Sequence, residues 1–154
     1  MPSPVTVRAI QQGVDFLLDI DPAEAKYPAG YSDKPSGNWW KFGFPVFYVT
    51  DILQIAEALA ALGAVDDPRL ANALAIIRNK QDALGRWPLE YDYADKTWVN
   101  FGPKKQPNKW VTLRALRVLK ASMSLLEPVS DSPRLGTGSS SIEAGTVGDR
   151  PEQG

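Results

Sequence analysis

An all-α fold built from two helical hairpins is what this sequence predicts, and three observations predict it. Apolar residues recur at helical spacing in four separate stretches. Two loops rich in aromatic residues alternate with those stretches and share a Trp, Phe, Gly pattern, WWKFG at Trp39 to Gly43 and WVNFG at Trp98 to Gly102. From about Pro128 the pattern gives way to PVSDSPRLGTGSSSIEAGTVGDRPEQG, whose Ser, Gly, Pro and charged residues bury too little apolar surface to offset the entropy of ordering. The chain therefore divides into a helical repeat domain over 1–127, with units at about 5–63 and 67–123, and a disordered tail over 128–154.

The first helix is predicted from Val5, Ile10, Val14, Leu17 and Leu18, with Thr6 as its cap and a stop at DIDP. The second is expected to open at Pro45, where proline suits a first turn, and to run through Ile52, Ile55, Leu59 and Leu62 to Gly63. A third begins at DDPR, with acidic residues at the positive end of the helix dipole, and continues through Leu70, Leu74 and Ile77 to about Gln81. The fourth is NKWVTLRALRVLKASM from Asn108, an amphipathic helix with Arg114, Arg117 and Lys120 on one side and Val111, Ala115, Val118 and Leu119 on the other. The two halves overlay at an offset of about 59 or 60 residues, with Phe16-Leu17 opposite Ile76-Ile77 and Leu53 with Leu59 opposite Leu113 with Leu119.

Composition narrows the chemistry. Of 154 residues, 44% are apolar and 23% charged, ordinary proportions for one globular domain. Seventeen basic and eighteen acidic side chains leave a net charge of -1, so no bulk field draws the chain to nucleic acid or an anionic membrane. With no cysteine and no histidine, thiolate chemistry, the commonest metal ligand and the usual general base are all missing. No metal and no cofactor are expected. MPSPVTVRAIQQ lacks the basic run and apolar core of a signal peptide, and no segment has the roughly 20 apolar residues of a membrane span, so a cytoplasmic location is expected.

The segment QDALGRW, with Gln81, Gly85 and Trp87, has the form Q-x-x-x-G-x-W. It resembles the QW repeat of the terpenoid cyclase and protein prenyltransferase superfamily, whose α/α toroids are built from helical hairpins. The resemblance covers about residues 5–123, with one good match and one degenerate copy in the first loop. It implies that the two hairpins are equivalent to part of such a toroid, and that Gln81 and Trp87 brace a joint between helices. Gly85 suits the left-handed conformation that ends a helix, and Trp87 supplies an apolar lid for the turn. The family's catalytic residues do not carry over. DIDP at Asp19 to Pro22 and DYAD at Asp92 to Asp95 are not the D-x-D-D acid of the cyclases, and Asp66-Asp67 is a helix start rather than a magnesium-diphosphate motif. No catalytic residue is assigned.

Candidate ligand-binding residues are Trp39, Trp40, Phe44, Tyr48, Asp51, Tyr91, Asp92, Trp98 and Trp110. Aromatic walls suit a polyisoprenoid chain by burial, though packing within the loops accounts for each ring as well. Asp51 is either the acid that complements a helix N-terminus or a lone acid at a pocket rim. The function expected is a noncatalytic or incomplete cyclase-like repeat domain, holding an apolar, isoprenoid-like ligand or packing on further repeats. Glu90, Asp92 and Asp95 among the aromatics equally suit a glycan-acting hydrolase or lyase, and a protein interaction module is the third possibility. The basic side of the fourth helix, preceded by Lys104, Lys105 and Lys109, reads as a solvated face. Apolar stripes carrying Val14, Leu18, Leu70, Leu74 and Ile77 are expected to be left for a partner, giving self-association or contact with further toroid repeats.

Overall fold

Four helices carry the chain in the computed structural model, which describes residues 2–27, 32 and 34–123: α1 (Pro4–Leu18), α2 (Ile52–Ala61), α3 (Ala71–Asn79) and α4 (Lys109–Met123). A 3₁₀ turn, Pro68–Leu70, leads into α3. Among the described residues there is no strand, and two isolated bridges tie the loops, Gly43 to Tyr91 in parallel and Pro88 to Pro107 antiparallel. The all-α class is thus as the periodicity predicts. The tail expected to be disordered over 128–154 lies outside the described residues.

Three of the four described helices, α1, α2 and α4, start where a side chain takes unpaired N–H groups of the first turn, and α3 follows directly from a capped 3₁₀ turn. Ser3, rather than Thr6, caps α1: its hydroxyl accepts from the Thr6 N–H at 3.2 Å, with Pro4 following in the first turn. The second helix begins at Ile52, not at Pro45. The run Val46-Phe47-Tyr48-Val49-Thr50 is β-branched and aromatic, which disfavours a first turn, whereas Asp51 accepts the Gln54 N–H at 2.7 Å and fixes the start there. Asp67 opens the 3₁₀ turn as its sequence promises, accepting from Arg69 N–H at 3.0 Å. Asn108 caps α4 through Oδ1, which accepts from the N–H groups of Trp110 at 3.0 Å and Val111 at 3.3 Å.

The core lies between α2, α3 and α4, with α1 closing one side through Val14 and Leu18. This corrects the expectation of leftover stripes: Val14, Leu18, Leu70, Leu74 and Ile77 are all buried within the chain. Other positions stay open. The stripe of α1 runs past the body, so Val7 and Ile10 are exposed, and α4 exposes Leu113, Leu116 and Met123 on the side away from its core residues Val111, Ala115 and Val118.

The joint between α3 and the second loop is built around Trp87, which has no exposed surface and donates its indole N–H to the Ile77 carbonyl at 2.7 Å. Gly85 adopts φ 77°, the left-handed conformation expected of it. Gln81 is exposed with its side-chain amide lying against Gly85, and the hydrogen bonds that hold the turn come from Asp82. The Asp82 carboxylate accepts from the N–H groups of Leu84 and Arg86, both at 2.9 Å, and from Arg86 Nε at 3.0 Å. The short reach of an aspartate suits this tight turn better than a glutamine. Replacing Trp87 with Ala should lower stability by about 3–5 kcal/mol, since a large aromatic is lost from a closed site. Urea unfolding followed by circular dichroism measures it, and a loss under about 1 kcal/mol would contradict the brace.

Candidate functional site

The first loop folds onto the second through main-chain hydrogen bonds and one buried ionic hub. Phe42 O accepts from the N–H groups of Glu90 at 2.8 Å and Tyr91 at 3.3 Å, and Phe44 N–H donates to Tyr91 O at 3.2 Å. Close approach at this crossing needs a glycine, because a Cβ on Gly43 would stand 3.0 Å from Tyr91 O. Beneath it sits Arg114, which was expected on the solvated face of α4. It is buried instead, since Val111, Arg114, Ala115 and Val118 follow the i, i+3, i+4, i+7 spacing of a single inward stripe.

Arg114 donates through Nη1 to the Gly43 carbonyl at 2.7 Å and through Nε to Glu57 at 2.8 Å. It meets both oxygens of Asp51, at 3.3 and 3.2 Å. Asp51 accepts two further N–H groups, from Gly43 at 3.1 Å and Gln54 at 2.7 Å. Its acceptor positions are thereby filled, and its environment is that of a helix cap and ion-pair partner. Burial works against the Arg114 charge, but attraction to Asp51 and the hydrogen bonds to Glu57 and Asp51 outweigh it and raise its pKa above the ordinary value.

Two aromatic clusters stand over this hub at the N-terminal ends of α2 and α4. In one, Phe44 stacks on Trp110 with centroids 5.2 Å apart and planes at 6°, and meets Phe101 edge-on at 5.0 Å. Lys109 Nζ lies 5.2 Å from the Trp110 ring centroid. In the other, buried Tyr93 is the centre: Phe47, Tyr48 and Tyr91 meet it edge-on at 4.8, 5.6 and 5.3 Å, and its hydroxyl accepts from the Val49 N–H at 3.1 Å. The clusters meet at a nook of about 180 Å³ lined by Pro45, Asp92, Tyr93, Asp95, Trp98 and Phe101.

Of the nine candidate residues, Phe44 and Trp110 touch directly, while Tyr48 and Tyr91 are joined through Tyr93. Asp92 and Trp98 both face the nook, where Asp92 pairs with Lys104 at 3.0 Å and Trp98 is fully exposed. The remaining two tryptophans lie lower. Trp39 is buried with its indole N–H on Pro22 O at 2.8 Å, and half-buried Trp40 donates to Ala23 O at 2.9 Å. Trp39 and Tyr48 also line a larger cleft of about 590 Å³ beside Tyr27 and Lys34. Arg114, Tyr27 and Tyr93 were missing from the sequence-derived set. The inward spacing of Arg114 was the signal for the first. Nothing local marks Tyr27, whose hydroxyl reaches Leu17 O at 2.6 Å.

Glu90 is also committed to structure: Lys80 Nζ sits 2.6 Å from one of its oxygens, and that oxygen accepts the Phe42 N–H at 2.9 Å. Among the described residues no three acidic side chains converge as a metal-holding group. None of their helices is long and apolar enough to cross a membrane. Searches of family models, curated proteins and solved structures return no match to this chain.

Removing Asp51 takes one of two carboxylates from the buried Arg114 and uncaps α2, so Asp51→Ala should cost about 3–5 kcal/mol in denaturant unfolding. Arg114→Met with Asp51→Ala should lose clearly less than the two single changes combined, the mark of direct coupling.

Tyr27 provides a pH signature. Burial, and secondarily the Asp21 carboxylate, push its phenol up to about 12. A phenol that holds its proton more tightly when folded adds stability below the unfolded value near 10, and this is lost as pH rises toward 12. The wild-type chain should therefore lose stability across that window, and Tyr27→Phe should flatten the decline. An identical slope in both would contradict the assignment.

Proposed function

We propose that this chain is a noncatalytic, cyclase-like helical repeat domain of the α/α-toroid type, which takes an apolar, isoprenoid-like chain across the rim formed by Phe44, Trp110 and the Tyr93 cluster. The stacked Phe44–Trp110 pair is the observation that carries the reading, since it sets two large rings together at the rim with Trp110 37% exposed, while Phe47 and Tyr48 add exposed rings in the neighbouring cluster. Such a face favours an apolar chain through removal of water from both surfaces. Of the three acids of the glycan reading, Glu90 and Asp92 are held in ion pairs with Lys80 and Lys104, which weighs against acid-base work on a glycan.

Support for the repeat comes from the way each loop is tied down. Trp39 O accepts from the first N–H of α2 at 2.8 Å, and Trp87 O accepts from the Asn108 cap of α4 at 2.8 Å. Each indole donates back to the chain before its own loop, to Pro22 or Ile77. Both helix caps also hold a Phe-Gly pair: Asp51 accepts the Gly43 N–H, and Asn108 Nδ2 donates to Phe101 O at 2.7 Å. Gly37-Asn38-Trp39 therefore aligns with Gly85-Arg86-Trp87 as a second G-x-W, with residues 88–98 interposed in the second copy.

Tryptophan fluorescence titrated with farnesol, farnesyl diphosphate and cellohexaose tests the reading. Farnesol should give a saturable change, and Trp110→Ala should weaken it by about tenfold or more, near 1.4 kcal/mol. Trp40→Phe should leave it intact. A response to cellohexaose alone, abolished by Trp98→Ala, would shift the assignment to glycan binding at the nook.

A further inference from the structure

We infer that the exposed edges on α1 and α4 are the two halves of one head-to-tail interface, and that their occupant is a second copy of this chain. Aligning the helices by their buried positions sets Ile52, Ala56 and Leu59 of α2 against Val111, Ala115 and Val118 of α4, all fully buried. In that register, Glu57 and Ala60 correspond to Leu116 and Leu119. Glu57 and Ala60 belong to the face by which α2 meets α4: Glu57 binds Arg114, and both line a groove with Arg117, Val118 and Ala121. Of the matching residues on α4, Leu119 packs partly on the core, while Leu116 is 46% exposed beside Leu113 at 47%.

The opposite edge shows the complementary gap. At the offset that sets Leu17 against Ile77, Ile10 falls on Leu70 and Val14 on Leu74. Leu70 has no exposed surface, because α3 packs on both α2 and α4, whereas Ile10 is 40% exposed. Among the described residues no helix stands to α1 as α2 stands to α3, and no hairpin covers the exposed stripe of α4. A second copy supplies both, continuing the α2–α4 interface already present within the chain.

The inference rests on the repeat register of the proposed function and not on its ligand, so a failed farnesol titration leaves it standing. Sedimentation velocity from micromolar to near-millimolar chain should show a rising weight-average coefficient. Leu116→Glu and Ile10→Glu alter exposed residues, and each alone should remain monomeric with unchanged helicity, because each destroys one edge. Mixed in equal amounts they should form a dimer and nothing larger, since one intact edge remains on each. Val7→Glu and Leu113→Glu repeat the pair at neighbouring positions should either first variant lose its fold. A wild-type monomer at all concentrations, or a mixture that stays monomeric while wild type associates, would overturn the proposal.

Discussion

The whole arrangement turns on the guanidinium of Arg114, which ties α4 to the start of α2 and to the Phe-Gly loop. A buried cation demands partners for each of its donors, and here they are the Asp51 carboxylate, the Glu57 carboxylate and the Gly43 carbonyl. Desolvation offsets much of the attraction in such a cluster, so its main effect is on register rather than on net stability. With Arg114 in place, α4 cannot slide along α2 without stranding a charge. The loop above cannot lift without exposing Gly43 O. The aromatic rim inherits its geometry from this, because Phe44 follows Gly43 directly and Trp110 lies one helical turn before Arg114.

The helices were legible in the sequence because they depend on short-range chemistry. Apolar spacing located all four, and the acidic pair at DDPR marked the 3₁₀ turn that leads into α3. The start of α2 was misread because proline at position 45 suits a first turn in isolation, while the stronger local determinant was Asp51. Arg114 was misread because charge was taken as proof of exposure, although its position sits within the apolar stripe.

The site was legible in content more than in arrangement. Composition named most of the rings, but which rings touch follows from a crossing between loops far apart in sequence. Phe44 meets Trp110 only because Phe42 and Phe44 pair with the Tyr91 segment. The separate fates of Trp39 and Trp98, one buried and one fully exposed, were likewise invisible in matching WWKFG to WVNFG. The Phe-Gly part of that match is held by a helix cap in both loops, while the tryptophan part is taken over by Trp87 in the second.

Asn108 holds both ends of the interposed segment, its main-chain N–H on Trp87 O and its side-chain amide on Phe101 O. The intervening chain is thus a closed excursion whose anchors do not depend on its length. Closure entropy rises only with the logarithm of loop size, about 0.6 kcal/mol for each doubling. The tip around Ala94 to Val99 can consequently lengthen, shorten or change composition while the hairpins beneath stay in register. In evolutionary terms this makes the second loop the place where a fixed helical frame acquires new recognition surfaces, and in engineering terms the natural position for a grafted peptide.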